Sequence, residues 1–292
     1  MTYHEPVLLT EVLAHLQIEK DKQYIDATLG DGGHAIEILK RGGTLLGIDI
    51  NEEGLNRAVK RIENVGLEKN FKGVIGNFKN IDQIAKENDF EKVHGIIYDL
   101  GYSSTQLEED RLGLSFQSDA LLDMRLDKNL GVTAADLLNA LSEKDLAKLI
   151  YEFSDERLAK RFAKAIVKYR SLRKIQTAKE LAKILADEAS PDYERGRIHP
   201  ATRTFQALRI AVNDEISNLE QSLPRAARLL LPGGRMFIIS FNSLEDKKAK
   251  LFGLRAQPNI KPLYKKPILP GEEEIRRNVR SRSARLRIFE KC

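Results

Sequence analysis

The chain has 292 residues, of which 42% are hydrophobic and 31% are charged, an ordinary composition for a globular protein. Its single cysteine is the last residue, Cys292, which excludes an internal disulfide framework and predicts a reducing, cytoplasmic location. The first sixteen residues are not typical of a signal peptide, and no apolar run approaches the ~20 residues that a membrane helix needs. The net charge of +5 gives weak support to a polyanionic partner. We predict no metal site and no membrane contact.

Four short apolar runs in the first hundred residues alternate with stretches of helical periodicity. The runs are residues 24–29, 44–50, 71–78 and 93–101. Alternation of strands and helices predicts βαβ units and a parallel sheet.

From about residue 132 to 190 the periodicity is helical only. Thr133 and Ser142 are predicted helix caps, and "TAKE" at 177–180 is a predicted capping box. A long helix is predicted from residue 202 to Pro224, followed by a strand within 229–241 and a last strand at 284–291. We therefore predict an α/β protein in which residues 1–105 and 200–292 form one Rossmann-like domain and residues 106–199 form a mainly helical insertion.

A glycine-rich turn follows the first predicted strand, with Gly30, Gly32 and Gly33 inside "ATLGDGGHA". Such a turn lets a ligand approach the backbone at the start of a helix, although tight turns of this kind also have a purely structural use. The spacing is not GxGxxG, which disfavours a nicotinamide dinucleotide.

Polar or aromatic residues end the next three predicted strands. Asp49 lies about twenty residues after the turn, where an acid binds the hydroxyls of an adenosine ribose. Phe78 and Asp99 follow at the ends of the third and fourth strands, and ligands bind at this edge of a parallel sheet. The joint placement favours S-adenosylmethionine as the cofactor. Taken singly, Phe78 also fits a core position and Asp99 a helix cap.

Seven segments resemble the signatures of the MraW/RsmH family of methyltransferases. They are "HEPVLL" (4–9), "DATLGDGGHA" (26–35), "DLGYSSTQLEED" (99–110), "LDMRLD" (122–127), "HPATRTFQALRIAVNDEI" (199–216), "PGGRMFIISFNSLED" (232–246) and "RSRSARLR" (280–287). The resemblance covers nearly the whole chain. It implies a class I methyltransferase fold with a helical insertion, and transfer of a methyl group from S-adenosylmethionine to the N4 amine of a cytidine in small-subunit ribosomal RNA.

The resemblance also implies site residues. The cofactor-binding set is Gly32, Gly33, His34, Asp49, Phe78, Asp99 and Gln106. A solvent-facing role at the helix terminus is the alternative for His34. For chemistry we predict that Asp99 orients the amine and can accept its proton, with Ser103 or Ser104 as alternative orienting groups and a cofactor-only role as the alternative for Asp99. A dedicated general base is dispensable because the methylated nitrogen is itself acidic.

The substrate side departs from the family pattern at three points. Asn242 stands where the family usually has histidine, and an amide orients a substrate but does not exchange protons at neutral pH. Tyr102 replaces the usual valine, and the family's Gly-Pro before "LDMR" is absent. Asn242 is therefore a candidate catalytic residue with an altered role.

Two basic stretches are candidates for RNA contact. One is the predicted helix 155–170, represented by Arg161, and the other is the C-terminal cluster with Arg280, Arg282 and Arg285, which has few acids near it in sequence. A solvated surface is the alternative for both.

Three readings of function stay open. The first is a cytidine N4-methyltransferase acting on small-subunit ribosomal RNA or on the small subunit itself. The second is a class I methyltransferase with another nucleic-acid target, and the third is a ribosome-assembly factor that binds the cofactor without turnover. Each of these allows a homodimer.

Overall fold

The computed structural model describes residues 5–101 and 112–292. These residues divide into two units, one lying within Met1–Ser103 and Ile216–Cys292 and the other within Ser104–Glu215. We call them the first unit and the second unit.

The described part of the first unit contains a seven-stranded sheet. In chain order the strands are β1 (Gln23–Asp26), β2 (Thr44–Asp49), β3 (Phe71–Ile75), β4 (Val93–Asp99), β5 (Leu230–Ser240), β6 (Ile260–Pro262) and β7 (Arg285–Lys291). Their order across the sheet is β3-β2-β1-β4-β5-β7-β6. The first five are parallel, and β7 runs antiparallel to both β5 and β6. The predicted α/β class and parallel sheet are confirmed.

Helices surround this sheet and build the second unit. Their bounds are α1 (Leu9–Leu16), α2 (Gly33–Lys40), α3 (Glu52–Glu63), α4 (Ile81–Glu87), α5 (Ala134–Ala140), α6 (Glu143–Ser154), α7 (Ala159–Arg170), α8 (Ala178–Glu188), α9 (Ala201–Asn213), α10 (Glu215–Leu229), α11 (Ser243–Arg255) and α12 (Glu272–Arg277).

Both faces of the sheet are buried. Ile25 and Leu46 belong to one apolar cluster, and their chain neighbours Tyr24 and Leu45 belong to another. Successive side chains of a strand point to opposite faces, so each cluster covers one face. Burial on both faces leaves the strand ends as the accessible part of the sheet.

The second unit has its own apolar core, which includes Leu138, Ile150, Phe162 and Leu181. The predicted helix starts are confirmed. The side chains of Thr133 and Thr177 close capping boxes, and the Ser142 side chain accepts a hydrogen bond from the Asp145 N–H. These caps satisfy N–H groups that have no partner within their helices.

The long helix predicted to end at Pro224 is wrong. The helix is interrupted at Asp214, whose φ is 50°. The next helix, α10, then continues through Pro224 to Leu229. Helix α9 packs in the core of the second unit, so that unit reaches Glu215, whereas the sequence places the domain boundary at residue 200. The Asp214 break was missed because local periodicity continues across it.

Candidate active site

Three carboxylates end three neighbouring strands of the sheet. Asp26, Asp49 and Asp99 are the last residues of β1, β2 and β4, and β1 pairs with both of the other strands. Parallel strands bring their carboxyl ends to the same edge, so the three acids lie on one side of the sheet. We call this edge, with the turn after β1, the cradle.

The turn after β1 adopts a conformation that requires glycine at two points. Gly30 has φ of 52° and Gly32 has φ of 74°, a region that other residues rarely enter. Gly33 begins α2, and a Cβ there would lie 3.0 Å from the Pro6 side chain. The turn therefore presents the first backbone N–H groups of α2, which have no acceptor within the helix, next to the carboxylates.

Asp49 joins the glycine turn to the next loop. Its Oδ2 accepts a hydrogen bond of 2.7 Å from the Gly30 N–H, and its Oδ1 accepts one of 2.8 Å from the Asn51 N–H. Asn51 in turn caps α3 through a 2.6 Å bond from the Gly54 N–H. Burial raises the pKa of Asp49, while the two N–H donors oppose that shift. Each carboxylate oxygen keeps a lone pair for a further donor.

His34 lies inside the protein and not in solvent, so its solvent-facing alternative is wrong. The residue is 5% exposed, and its Nε2 lies 3.6 Å from Asp99 Oδ2, longer than a hydrogen bond. Burial lowers the pKa of His34, but the carboxylates of Asp99 and Asp26 raise it, and the net shift is upward.

Several buried polar atoms of the cradle have no hydrogen-bond partner in the described structure. They are Nδ1 and Nε2 of His34 and Oδ1 of Asp99. Buried polar atoms in proteins are nearly always hydrogen-bonded, so unsatisfied ones grouped at a sheet edge mark it as a candidate ligand site. Thr28 Oγ1 accepts a 2.6 Å bond from the Asp99 N–H and fixes the end of β4 against the turn.

Phe78 lies beyond the end of β3, where a 3₁₀ turn begins. Its ring meets Tyr98 edge-to-face, with 5.7 Å between the ring centres, and it packs on the apolar core while remaining partly buried. The Asn77 side chain caps the turn by accepting a 2.9 Å bond from the Lys79 N–H. The core contact holds the ring in a defined orientation, and its use by adenine stays a prediction.

Asn242 is the N-cap of α11. Its Oδ1 accepts bonds of 3.0 Å from the Leu244 N–H and 2.9 Å from the Glu245 N–H. Glu245 is buried, and its side chain accepts a 2.9 Å bond from the Phe241 N–H. The amide oxygen is therefore engaged in the helix cap, a role that the sequence reasoning missed and that an asparagine before "SLED" signals.

Asp26 is the site residue that sequence reasoning missed. It is 2% exposed, and its Oδ1 accepts one long bond of 3.2 Å from the Thr28 N–H. Burial raises the pKa of Asp26 to about 7; His34 and the Thr28 N–H lower it, while Asp99 and Asp49 raise it. The available signal was its position, because it ends its strand as Asp49 and Asp99 end theirs.

The predicted cofactor residue Gln106 lies outside the described residues, as do Tyr102, Ser103 and Ser104. Asp99 is the last described carboxylate before that segment. The alternative role of Asp99 as a helix cap depends on residues outside the described ranges and stays a prediction.

The RNA-contact candidates differ in how their charge is balanced. Arg161 is exposed and pairs with Glu188 at 3.2 Å. Arg280 and Arg282 lie exposed in a 3₁₀ turn. Arg285 lies 3.7 Å from Asp246.

The C-terminal cluster has few acids near it in sequence, but the fold brings acids to some of its arginines. Arg287 forms two bonds to Asp246, of 2.7 Å and 3.1 Å, and Arg277 pairs with Glu5 at 2.7 Å. These acids are distant in sequence, so only the fold brings them to the arginines.

Among the described residues, no helix is both long enough and apolar enough to cross a membrane. Within the same ranges, no three His, Cys, Asp or Glu side chains are grouped as metal ligands.

The chain is similar to several known proteins. The whole chain, residues 1–292, matches the MraW methylase family. A protein of Carboxydothermus hydrogenoformans, named Ribosomal RNA small subunit methyltransferase H, is 43% identical over 99% of this chain and 97% of its own length. One of the same name from Persephonella marina is 42% identical over 99% of both chains. A crystal structure of an rRNA methylase from Streptococcus thermophilus covers 99% of both chains at 11% identity with a TM-score of 0.48. The resemblance seen in the sequence motifs is thus confirmed, and the chain belongs to the MraW methylase family.

Proposed function

We propose that this protein uses S-adenosylmethionine to methylate the N4 amine of a cytidine in small-subunit ribosomal RNA. The observation that carries the proposal is the 43% identity, over 99% of the chain, to a relative named for methylation of the ribosomal RNA small subunit. Asp49 and Asp99 beside a glycine turn support it further, because ligands of such sheets bind at the carboxyl ends of the strands.

The cradle fits the donor. Its orphaned buried atoms, Nδ1 and Nε2 of His34 and Oδ1 of Asp99, are donors and acceptors that a polar ligand would satisfy. Asp49 would hold the ribose hydroxyls with its remaining lone pairs, and Phe78 would pack on adenine. The backbone at Gly32 and the N–H of Gly33, with His34, would meet the amino-acid end, and Gln106 would complete the pocket. When bound, S-adenosylmethionine supplies an electrophilic methyl group.

Asp99 is the residue that we assign to the acceptor amine. A cytosine amine is a weak nucleophile because its lone pair is delocalised into the ring. The Asp99 carboxylate accepts hydrogen bonds from the amine hydrogens and turns the lone pair outwards. The nitrogen becomes cationic on methylation, and Asp99 then takes its proton. His34, at 3.6 Å, balances the carboxylate charge before that step.

Asn242 contributes by shaping the site. Its cap fixes the start of α11, directly after β5, whose residue Ile239 pairs with Asp99. We therefore assign Asn242 a positioning role instead of proton exchange.

RNA recognition is assigned to surfaces on both units. The cytosine must leave its stack to reach a buried amine-binding site, which costs a few kcal/mol. Phosphate contacts by exposed cations offset that cost. In the second unit these are Arg161 and its neighbours on α7, and in the first unit Arg280, Arg282 and Arg285. Residues 106–199 are the proposed RNA-recognition domain.

The experiment combines purified protein, labelled S-adenosylmethionine and small ribosomal subunits that lack the modification. Label at a cytidine N4 position supports the proposal. Label at another position favours a different nucleic-acid target, and donor binding without label favours an assembly factor. Light scattering of the purified protein alone tests the homodimer, and cell fractionation tests the cytoplasmic location.

A further inference from the structure

The carboxylate of Asp26 is buried in the cradle and has no part in the mechanism above. It is 2% exposed and, within residues 5–101 and 112–292, receives one long hydrogen bond, 3.2 Å from the Thr28 N–H. A carboxylate offers about four lone-pair sites, so Asp26 is poorly satisfied for a buried acid.

Charged groups face Asp26 from three elements packed around it. They are His34 from α2, Asp49 from β2 and Asp99 from β4. Glu274 of α12 adds a further negative charge near His34. Arg57 acts on Asp49 and Arg277 on Glu274, so both of these acids also have a cation nearby. Among the described groups that act on Asp26 itself, His34 is the one cation beside Asp49 and Asp99, and its two ring nitrogens have no hydrogen-bond partner there. The cluster is negative whenever Asp26 is ionised.

The two nucleosides that the cradle would meet differ by one charge. S-adenosylmethionine carries a sulfonium, an ammonium and a carboxylate, and its net charge is +1. The demethylated product is a thioether with the same remaining groups and a net charge of zero. We infer that Asp26, acting with Asp49 and Asp99, makes the cradle bind the cationic donor in preference to its neutral product. This inference rests on the proposed donor site and adds a basis for product release.

The sign of the effect follows from linkage. Burial places the pKa of Asp26 near 7, so its ionisation state changes in the physiological range. A cationic ligand favours the ionised carboxylate and lowers that pKa, whereas a neutral ligand does so less. Donor binding near pH 7 therefore releases protons, and the ratio of donor to product affinity rises with pH. His34 shifts in the same direction, since a nearby cation disfavours its protonated ring.

Isothermal titration calorimetry of the full-length protein tests the inference. Affinities for S-adenosylmethionine and S-adenosylhomocysteine are measured between pH 6 and pH 8.5, in buffers of different ionisation enthalpy. For the wild type we expect the affinity ratio to rise by about tenfold across this range, as a one-unit change in pKa on binding implies. We also expect greater proton release with the donor than with the product.

The variant Asp26→Asn keeps the side-chain shape and the acceptor for Thr28 but has no titratable charge. It is expected to lose several-fold in donor affinity at pH 8 with little change for the product, and to show a flatter pH dependence. Asp82→Asn is the matched control, because Asp82 is an acid of α4 whose partners are Arg225 and Arg228. This control should behave as wild type.

Two results would overturn the inference. One is an Asp26→Asn protein that weakens donor and product equally. The other, which holds even if the variant does not fold, is a wild-type ratio that stays constant with pH and equal proton release for both ligands. Absence of donor binding to the wild type at every pH would instead contradict the proposed cofactor site.

Discussion

The carboxylate of Asp49 accepts backbone hydrogen bonds from two loops, from Gly30 at 2.7 Å and from Asn51 at 2.8 Å. These bonds fix the carboxylate in place before any ligand arrives, so little ordering is needed on binding. The sequence predicts Asp49 because it lies at a known spacing from a glycine turn. The backbone bonds were not predictable, since they depend on how two loops meet.

Replacing Asp49 tests its assignment to the ribose. We expect Asp49→Ala to weaken S-adenosylmethionine binding about tenfold or more, through loss of charged hydrogen bonds, as measured by calorimetry. Asn51→Ala is the control for the loop, because it removes the cap of α3 and leaves the carboxylate. That control should cost about 1 kcal/mol of stability with a smaller effect on binding. Unchanged affinity in Asp49→Ala would remove the ribose assignment.

Asp26 predicts an unusual dependence of stability on pH. An aspartate in an unfolded chain has a pKa near 3.9, whereas burial raises that of Asp26 to about 7. Between these values the folded state binds more protons, so the free energy of unfolding falls as pH rises. His34, with a raised pKa, loses its stabilising contribution as pH rises through its folded-state value, so the two residues act in the same direction.

The variant Asp26→Asn separates the pH dependence of stability that is due to Asp26 from the part that is due to His34. We compare the free energy of unfolding of the variant with that of the wild type at each pH. The difference, variant minus wild type, is expected to be about 2 kcal/mol larger at pH 8 than at pH 5, because only the wild type loses stability as Asp26 ionises. Urea titrations of the ligand-free protein at both values measure this difference. A variant that differs from wild type by the same amount at both pH values would show that Asp26 does not titrate in this range.

Asn242 is expected to act through its cap. Asn242→Ala should lower the free energy of unfolding by about 1 kcal/mol, and Asn242→Asp, which retains the acceptor, should restore it. If Asn242 only positions α11, the aspartate variant also keeps its methylation rate with an unchanged pH profile. A loss of rate in Asn242→Asp at full stability would instead assign the amide a direct contact with substrate.

At the scale of elements, α7 carries a row of lysines on one side. Lys160, Lys164 and Lys168 are exposed and four residues apart, so they lie on one face over about 12 Å. Arg170 of the same helix instead donates hydrogen bonds to the backbone carbonyls of Leu138 and Leu141. The sequence predicted a basic face but did not separate these two groups.

The salt dependence of RNA binding tests whether the α7 lysines and the C-terminal arginines contact phosphates. Changing the three lysines to glutamine should reduce the slope of log affinity against log salt by about 2, since each phosphate contact contributes about 0.7 to 0.9. Arg280→Gln with Arg282→Gln should act similarly in the first unit. The control is Lys179→Gln with Lys183→Gln, two lysines of α8 that lie outside both proposed surfaces and pair with Asp119 at 3.2 Å and Asp187 at 2.7 Å. If the wild type, both surface variants and the control have equal slopes, neither surface contacts RNA.

Elements with strong local signals were predictable. The capping residues Thr133, Ser142 and Thr177 were identified because they act on N–H groups three residues away. Strand β6 was not predicted, since three residues give no periodicity. The break at Asp214 also gave no signal, because helical periodicity continues across it; Arg209 pairs with Glu215 across the break at 2.8 Å.

At the scale of the whole molecule, the described chain is two units with separate cores, interleaved in sequence. The carboxyl edge of the sheet in the first unit gathers residues from β1, β2, β4 and α2 that are up to 73 positions apart, from Asp26 to Asp99. Family membership was predictable from motifs, which are local. The poorly satisfied state of Asp26 and the orphaned atoms of His34 were not, because burial is a property of the assembled fold.

The central claim is that the carboxyl ends of β1, β2 and β4 hold the nucleoside donor. A crystal structure of the protein grown with S-adenosylmethionine tests it most directly. We predict the ribose hydroxyls within hydrogen-bond distance of Asp49, the adenine against Phe78, and new partners for His34 and Asp99. Electron density for the donor at another place, with these four side chains not touching it, would contradict the account.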